Sequence, residues 1–135
     1  MVRASAKSKR KPIKLDHEAQ RQPGKSKIPV AGIGASAGGL EAFTELLNAL
    51  PEDTGIAFVL VQHLDPKHKS KLTELLGHAT TLPVILATEA VTVQPDHVYV
   101  IPPNTNMTIE DGRLRLAQRP EGEFPFMCID QFFRS

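Results

Sequence analysis

Residues 56–61 are all apolar, with no polar side chain at any position. A strand of that kind has no face suited to water and must be covered on both sides, as in the parallel sheet of an α/β fold. The flanking sequence supports this. Residues 28–34 form a short apolar run that stops at glycine, and Leu40, Phe43, Leu46, Leu47 and Leu50 recur at three- and four-residue steps until Pro51 ends the pattern. A second amphipathic helix is predicted over 69–79, with Leu72, Leu75 and Leu76 on its apolar stripe, and a third strand over 83–87. A β-α-β-α-β order implies right-handed crossovers and helices on both sides of the sheet.

Beyond Ala87 the pattern changes. Residues 98–101 read as a short strand closed by Pro102 and Pro103, and residues 107–116 as a hairpin with Asp111 and Gly112 in a two-residue loop. In that register Ile109 faces Leu114 and Met107 faces Leu116, while Glu110 faces Arg113 and Thr108 faces Arg115, so one face is apolar and the other wet. Residues 119–126 read as a loop and 129–135 as the opening turns of a helix. The expected fold class is therefore α/β: a doubly wound, mostly parallel sheet with a β-hairpin insertion, incomplete at the C-terminus.

Charge divides the chain into two parts. Residues 1–27 hold nine basic residues against Asp16 and Glu18, a net +7, and residues 28–135 carry a net −6. The first part is poor in branched apolar residues and contains Pro12, Pro23 and Gly24, so a disordered basic tail is expected over 1–27. It lacks the apolar core of an export signal, and without interleaved aromatic residues it predicts no specific nucleic-acid partner. The single cysteine, Cys128, excludes a disulfide framework and a cysteine-cluster metal site. No apolar run reaches the roughly 18 residues of a membrane span, so membrane insertion is not expected and the cytoplasm is the expected location.

Gly34-Ala35-Ser36-Ala37-Gly38 has the form G-x-S-x-G and falls between the first strand and the first helix. A tight strand-to-helix turn flanked by small residues presents the Ser36 hydroxyl above the sheet in a strained conformation, and the Ala37 amide becomes an oxyanion donor at a helix N-terminus. Such a serine needs a base. His63 ends the second strand, and successive parallel strands end side by side, so the two can meet at one sheet edge. A histidine at a strand end is by itself more often structural; its coincidence with the serine motif reverses that preference. His17, His68, His78 and His97, the last two placed near a helix end and in a turn, read as solvated or packing residues.

Two other readings compete. Gly32, Gly34 and Ala37 also fit G-x-G-x-x-[GA], the nucleotide-binding turn, but the second strand ends in Gln62-His63 rather than in an acidic ribose ligand. A non-catalytic interaction module on a Rossmann-like sheet is the third.

The residues resemble the catalytic domain of CheB-type chemotaxis methylesterases. The resemblance covers Ile28 onward, through residues 33–39, 61–66, 93–103 and 129–135, and is closest to versions fused to a methyltransferase. It implies a protein-glutamate methylesterase and glutaminase that acts on methylated chemoreceptors, without metal or organic cofactor. The family's serine and histidine fall on Ser36 and His63. Its aspartate lies beyond the segment that ends this chain; Asp65 follows His63 too closely to replace it, and Asp130 matches a position outside the triad. Members often carry Thr where this chain has Ala37, and residues 1–27 do not resemble the family's usual receiver domain. Loss of the aspartate lowers turnover on the order of 10⁴ in well-studied triads, so a weak or inactive enzyme is expected. A chain stopping within a helix is also expected to leave Phe132 and Phe133 short of partners and the product marginally stable.

Overall fold

The computed structural model describes residues 27–36, 38–63, 71–122 and 127–135. The basic tail expected over 1–27 therefore lies outside the described residues except for Lys27, as do His17, Ala37, Asp65, His68 and part of the loop expected over 119–126.

Strand β1 (Val30–Ala35) leads into helix α1 (Gly39–Ala49) and strand β2 (Ala57–Gln62). Helix α2 (Leu72–Gly77) precedes β3 (Val84–Leu86) and β4 (His97–Val100). The hairpin β5 (Thr105–Glu110) and β6 (Arg113–Gln118) follows, and α3 (Cys128–Phe133) comes last. The first four strands form one sheet in the order β1-β2-β4-β3, with every neighbouring pair parallel.

The apolar run behaves as its composition requires: all five residues of 57–61 are buried. Alternate residues serve opposite cores. Phe58 and Leu60 join Phe43, Leu47, Leu72 and Leu76 beneath α1 and α2, whereas Ala57, Val59 and Val61 join Met107, Leu114, Cys128 and Phe132 beneath the hairpin and α3. Helices thus cover both faces, with α1 and α2 together on one and α3 with the hairpin on the other. Helix α1 buries Phe43 and Leu47, four positions apart on one face, each contributing about 1.5–3 kcal/mol as an upper figure. It stops because Leu50, restricted by the following Pro51, turns to extended backbone at φ −80°, ψ 135°.

Strand β4 is an interior strand, paired with β2 on one side and β3 on the other. Its sequence concealed this, because Tyr99 and His97 interrupt a short run. Tyr99 is nonetheless 2% exposed, and its hydroxyl accepts a hydrogen bond from the Gln94 amide at 2.9 Å, which satisfies the one polar atom that burial would strand. His97 starts β4 rather than lying in a turn; its ring stacks on Tyr99 and its Nδ1 donates to the Pro95 carbonyl at 2.8 Å. His78 is exposed just after α2.

The hairpin takes the expected register, from Met107 opposite Leu116 to Glu110 opposite Arg113. Asp111 and Gly112 adopt φ of 48° and 73°, as a two-residue loop matched to strand twist requires. The segment after β3 ties the hairpin to the sheet: the Ala90 amide donates to the Leu114 carbonyl and the Val93 amide to the Gly112 carbonyl, both at 2.9 Å.

The glycines of β1 have a packing role. A Cβ on Gly32 would stand 2.9 Å from the Phe132 ring, and one on Gly34 would stand 2.6 Å from Ile129 Cγ2. Helix α3 can lie against β1 only because those side chains are missing. Phe132 is buried there at 4% exposure, against the expectation that it lacks partners, while Phe133 remains 55% exposed.

Candidate functional site

The register of β1 and β2 sets the geometry of the serine motif. Ala35 and Gln62 are partners in the parallel ladder, and Ser36 and His63 are the residues that follow them. Both therefore leave the sheet at its carboxyl rim, on adjacent strands whose spacing is about 4.8 Å, and both are exposed. Continued strand alternation would put both on the α3 side, since Gly34 and Val61 face that way.

The turn from β1 to α1 is anchored at the Ser36 carbonyl. It accepts a hydrogen bond from the Gly39 amide at 3.1 Å and another from Gln62 Nε2 at 3.2 Å. Among the described residues of the turn, Gly38 lies in the left-handed region at φ 80° and Ser36 does not. The strain expected at the serine is thus not of that kind; Gly38 provides the reversal at no Cβ cost. Gly39 is needed for room, because a Cβ there would lie 2.7 Å from Gln62 Nε2. Ala37, the expected oxyanion donor, lies outside the described residues.

Other reactive groups among the described residues have other roles. Cys128 is fully buried, with Sγ 4.0 Å from the Gln62 carbonyl oxygen, and desolvation raises its thiol above the ordinary pKa, which suits packing rather than nucleophilic attack. Asp130 pairs with Arg134 at 3.0 Å along α3. Glu89 accepts from the Leu116 amide at 2.5 Å and pairs with Arg115 at 3.4 Å. Among the described residues no group of three or more His, Cys, Asp or Glu is placed to hold a metal, and no helix is long and apolar enough to cross a membrane. A cavity of about 670 Å³ opens at the far end of β1 among Val30, Val93, Ile109 and Gly112; none of the candidate site residues lines it.

A family model described as CheB methylesterase matches residues 31–135. The chain belongs to the CheB methylesterase family.

Among its relatives is "Protein-glutamate methylesterase/protein-glutamine glutaminase 2" of Pseudomonas syringae pv. syringae, 39% identical over 107 residues, covering 78% of this chain and 32% of that protein. The similarly named protein 4 of Burkholderia thailandensis is 38% identical over 109 residues, covering 79% of this chain and 32% of the relative. The chain thus spans about a third of the length of these curated relatives. The catalytic domain of the Thermotoga maritima CheB methylesterase has a similar fold, with a TM-score of 0.59 at 23% identity, covering 72% of this chain and 52% of that structure.

The CheB fold also accounts for the competing glycine pattern. The nucleotide fingerprint needs its second glycine so that a pyrophosphate can approach the backbone, but Ile129 and Phe133 of α3 occupy the space over Gly34. In the sequence Gln62 stands out only as the residue before His63 at the end of the second strand. Its signal was local: a polar residue ending an otherwise apolar strand, with parity opposite to His63.

Proposed function

We propose that this chain carries the nucleophile and general base of a protein-glutamate methylesterase and glutaminase, acting on glutamate methyl esters of chemoreceptor cytoplasmic domains. The observation that carries this reading is the placement of Ser36 and His63 one step beyond paired residues of β1 and β2, at one rim. Membership in the CheB methylesterase family, with relatives named for the same activity, supports it. His63 takes the Ser36 proton as Oγ attacks the ester carbonyl carbon. The tetrahedral oxyanion is received by the Ala37 amide and the N-terminus of α1. Collapse breaks the bond to the methoxy oxygen, which leaves as methanol with the proton held by His63; water, deprotonated by His63, then releases the glutamate carboxylate and restores Ser36.

The family's aspartate has no counterpart in the segments that carry the resemblance, and we expect a Ser-His pair working without that acid to turn over on the order of 10⁴ more slowly than a full triad. The test is covalent labelling with a fluorophosphonate, read by intact mass and peptide mapping. One adduct on Ser36, absent from Ser36→Ala, is the expected result; a folded chain unmodified at Ser36, or modified equally after the substitution, rejects the reading.

A further inference from the structure

We infer that Gln62 is a positioning residue for the nucleophile, holding the Ser36 peptide through its side-chain amide; this rests on the hydrolase reading above. Gln62 Nε2 crosses from β2 to the Ser36 carbonyl at 3.2 Å, alongside the Gly39 amide at 3.1 Å. With two donors on one carbonyl, the Ser36 peptide is tied both to its own helix and to the neighbouring strand, which also delivers His63. Rotation of that peptide would move Oγ relative to the imidazole, and the clamp opposes it. The space at Gly39, where a Cβ would come within 2.7 Å of Nε2, is what lets the amide reach.

The arrangement has a cost that favours this role over a purely structural one. Gln62 Oε1 is buried and has no hydrogen-bond partner among the described residues. A buried unpaired acceptor is destabilising, whereas an apolar residue of similar size would leave nothing unsatisfied on that strand. A buried polar atom without a partner is uncommon in native proteins, and a role at a reactive site is one of the accepted reasons for keeping one. Gln62 therefore lowers stability locally while fixing the one turn that bears the nucleophile.

The full chain and its Gln62→Leu and Gln62→Glu variants are compared by the second-order rate of fluorophosphonate labelling at Ser36 between pH 5 and 9, together with thermal unfolding. We expect Gln62→Leu to label about tenfold more slowly, the equivalent of one net hydrogen bond, with an unchanged pH midpoint and a melting temperature no lower than wild type. Gln62→Glu, whose carboxylate repels the Ser36 carbonyl, labels more slowly still near pH 9. Its rate relative to wild type rises as the pH falls and the side chain regains a donor hydrogen. Equal rates in all three proteins overturn the inference and leave the hydrolase reading standing. So does a slower Gln62→Leu that also melts lower, with a Gln62→Glu deficit independent of pH, because that pattern marks a structural role. A wild-type chain unlabelled at Ser36 overturns both.

Discussion

The two rims of the parallel sheet treat their polar groups in opposite ways. At the amino rim, Asp96 accepts hydrogen bonds from the Gly55 amide at 2.8 Å and the Thr54 hydroxyl at 2.9 Å. The same Thr54 oxygen accepts from the Ile56 amide at 3.1 Å, and the Asp96 amide donates to the Ile56 carbonyl at 2.8 Å. Asp96 even adopts φ 58° to make this latch, which closes the entry to β2 against the entry to β4. At the carboxyl rim, Ser36 and His63 are exposed, and Gln62 Oε1 has no partner among the described residues. One end of the sheet satisfies its polar groups internally and the other leaves capacity open, next to the N-terminus of α1. In a parallel α/β sheet that second end is where ligands bind, and the contrast locates the site without reference to any substrate.

The strongest way to break this comparison is to remove the base. His63→Ala is expected to slow fluorophosphonate labelling of Ser36 by about 10²–10⁴-fold with little change in unfolding, since His63 is exposed. An unchanged labelling rate would mean that the carboxyl rim is no more reactive than its opposite. A second substitution tests how the rim is supported. Gly34→Ala forces a methyl against Ile129 and is expected to cost about 1–3 kcal/mol in urea unfolding; paired with Ile129→Ala, it should cost less than the sum of the two single changes. Strict additivity would show that α3 does not rest on the glycines of β1.

The smallest expected effect lies at the amino rim and concerns acid. The Gly55 amide, followed by the Thr54 hydroxyl, holds the Asp96 carboxyl below its ordinary value of 3.8. A carboxylate whose folded pKa is depressed contributes stability above the unfolded value, and the contribution disappears as pH falls through the folded one. Thermal melts of Asp96→Asn and wild type should therefore differ near neutral pH and converge as the pH drops below the ordinary value of 3.8. A gap that stays constant into acid would show that the latch depends on shape rather than charge. No change in Ser36 labelling is expected from this variant.

Much of the fold was legible from short-range pattern. The hairpin register followed from alternation around Asp111-Gly112, because a two-residue loop leaves only one pairing that puts Met107, Ile109, Leu114 and Leu116 together. The common rim of Ser36 and His63 followed from their positions just past two consecutive parallel strands. The interior position of β4 was hidden, since a four-residue strand containing His97 and Tyr99 has no periodicity that marks it as central. The role of Gln62 was hidden for a related reason: its partner carbonyl belongs to another strand, and Gly39, which makes room for it, reads locally only as a helix start.

By itself, then, the sequence determined which segments are strands and helices, which side of each strand is apolar, and which turn carries an exposed serine. These depend on residues close together in the chain, through steric preference and the two- and 3.6-residue periods of backbone geometry. Tertiary structure alone decided that β4 enters between β2 and β3, that α3 fills the space above Gly32 and Gly34, and that the left-handed backbone falls on Gly38 rather than Ser36. Those outcomes are set by close packing between distant segments. A missing Cβ reads alike in the chain whether it serves an anion, a turn or an aromatic ring, and only the neighbour that fills the space distinguishes them.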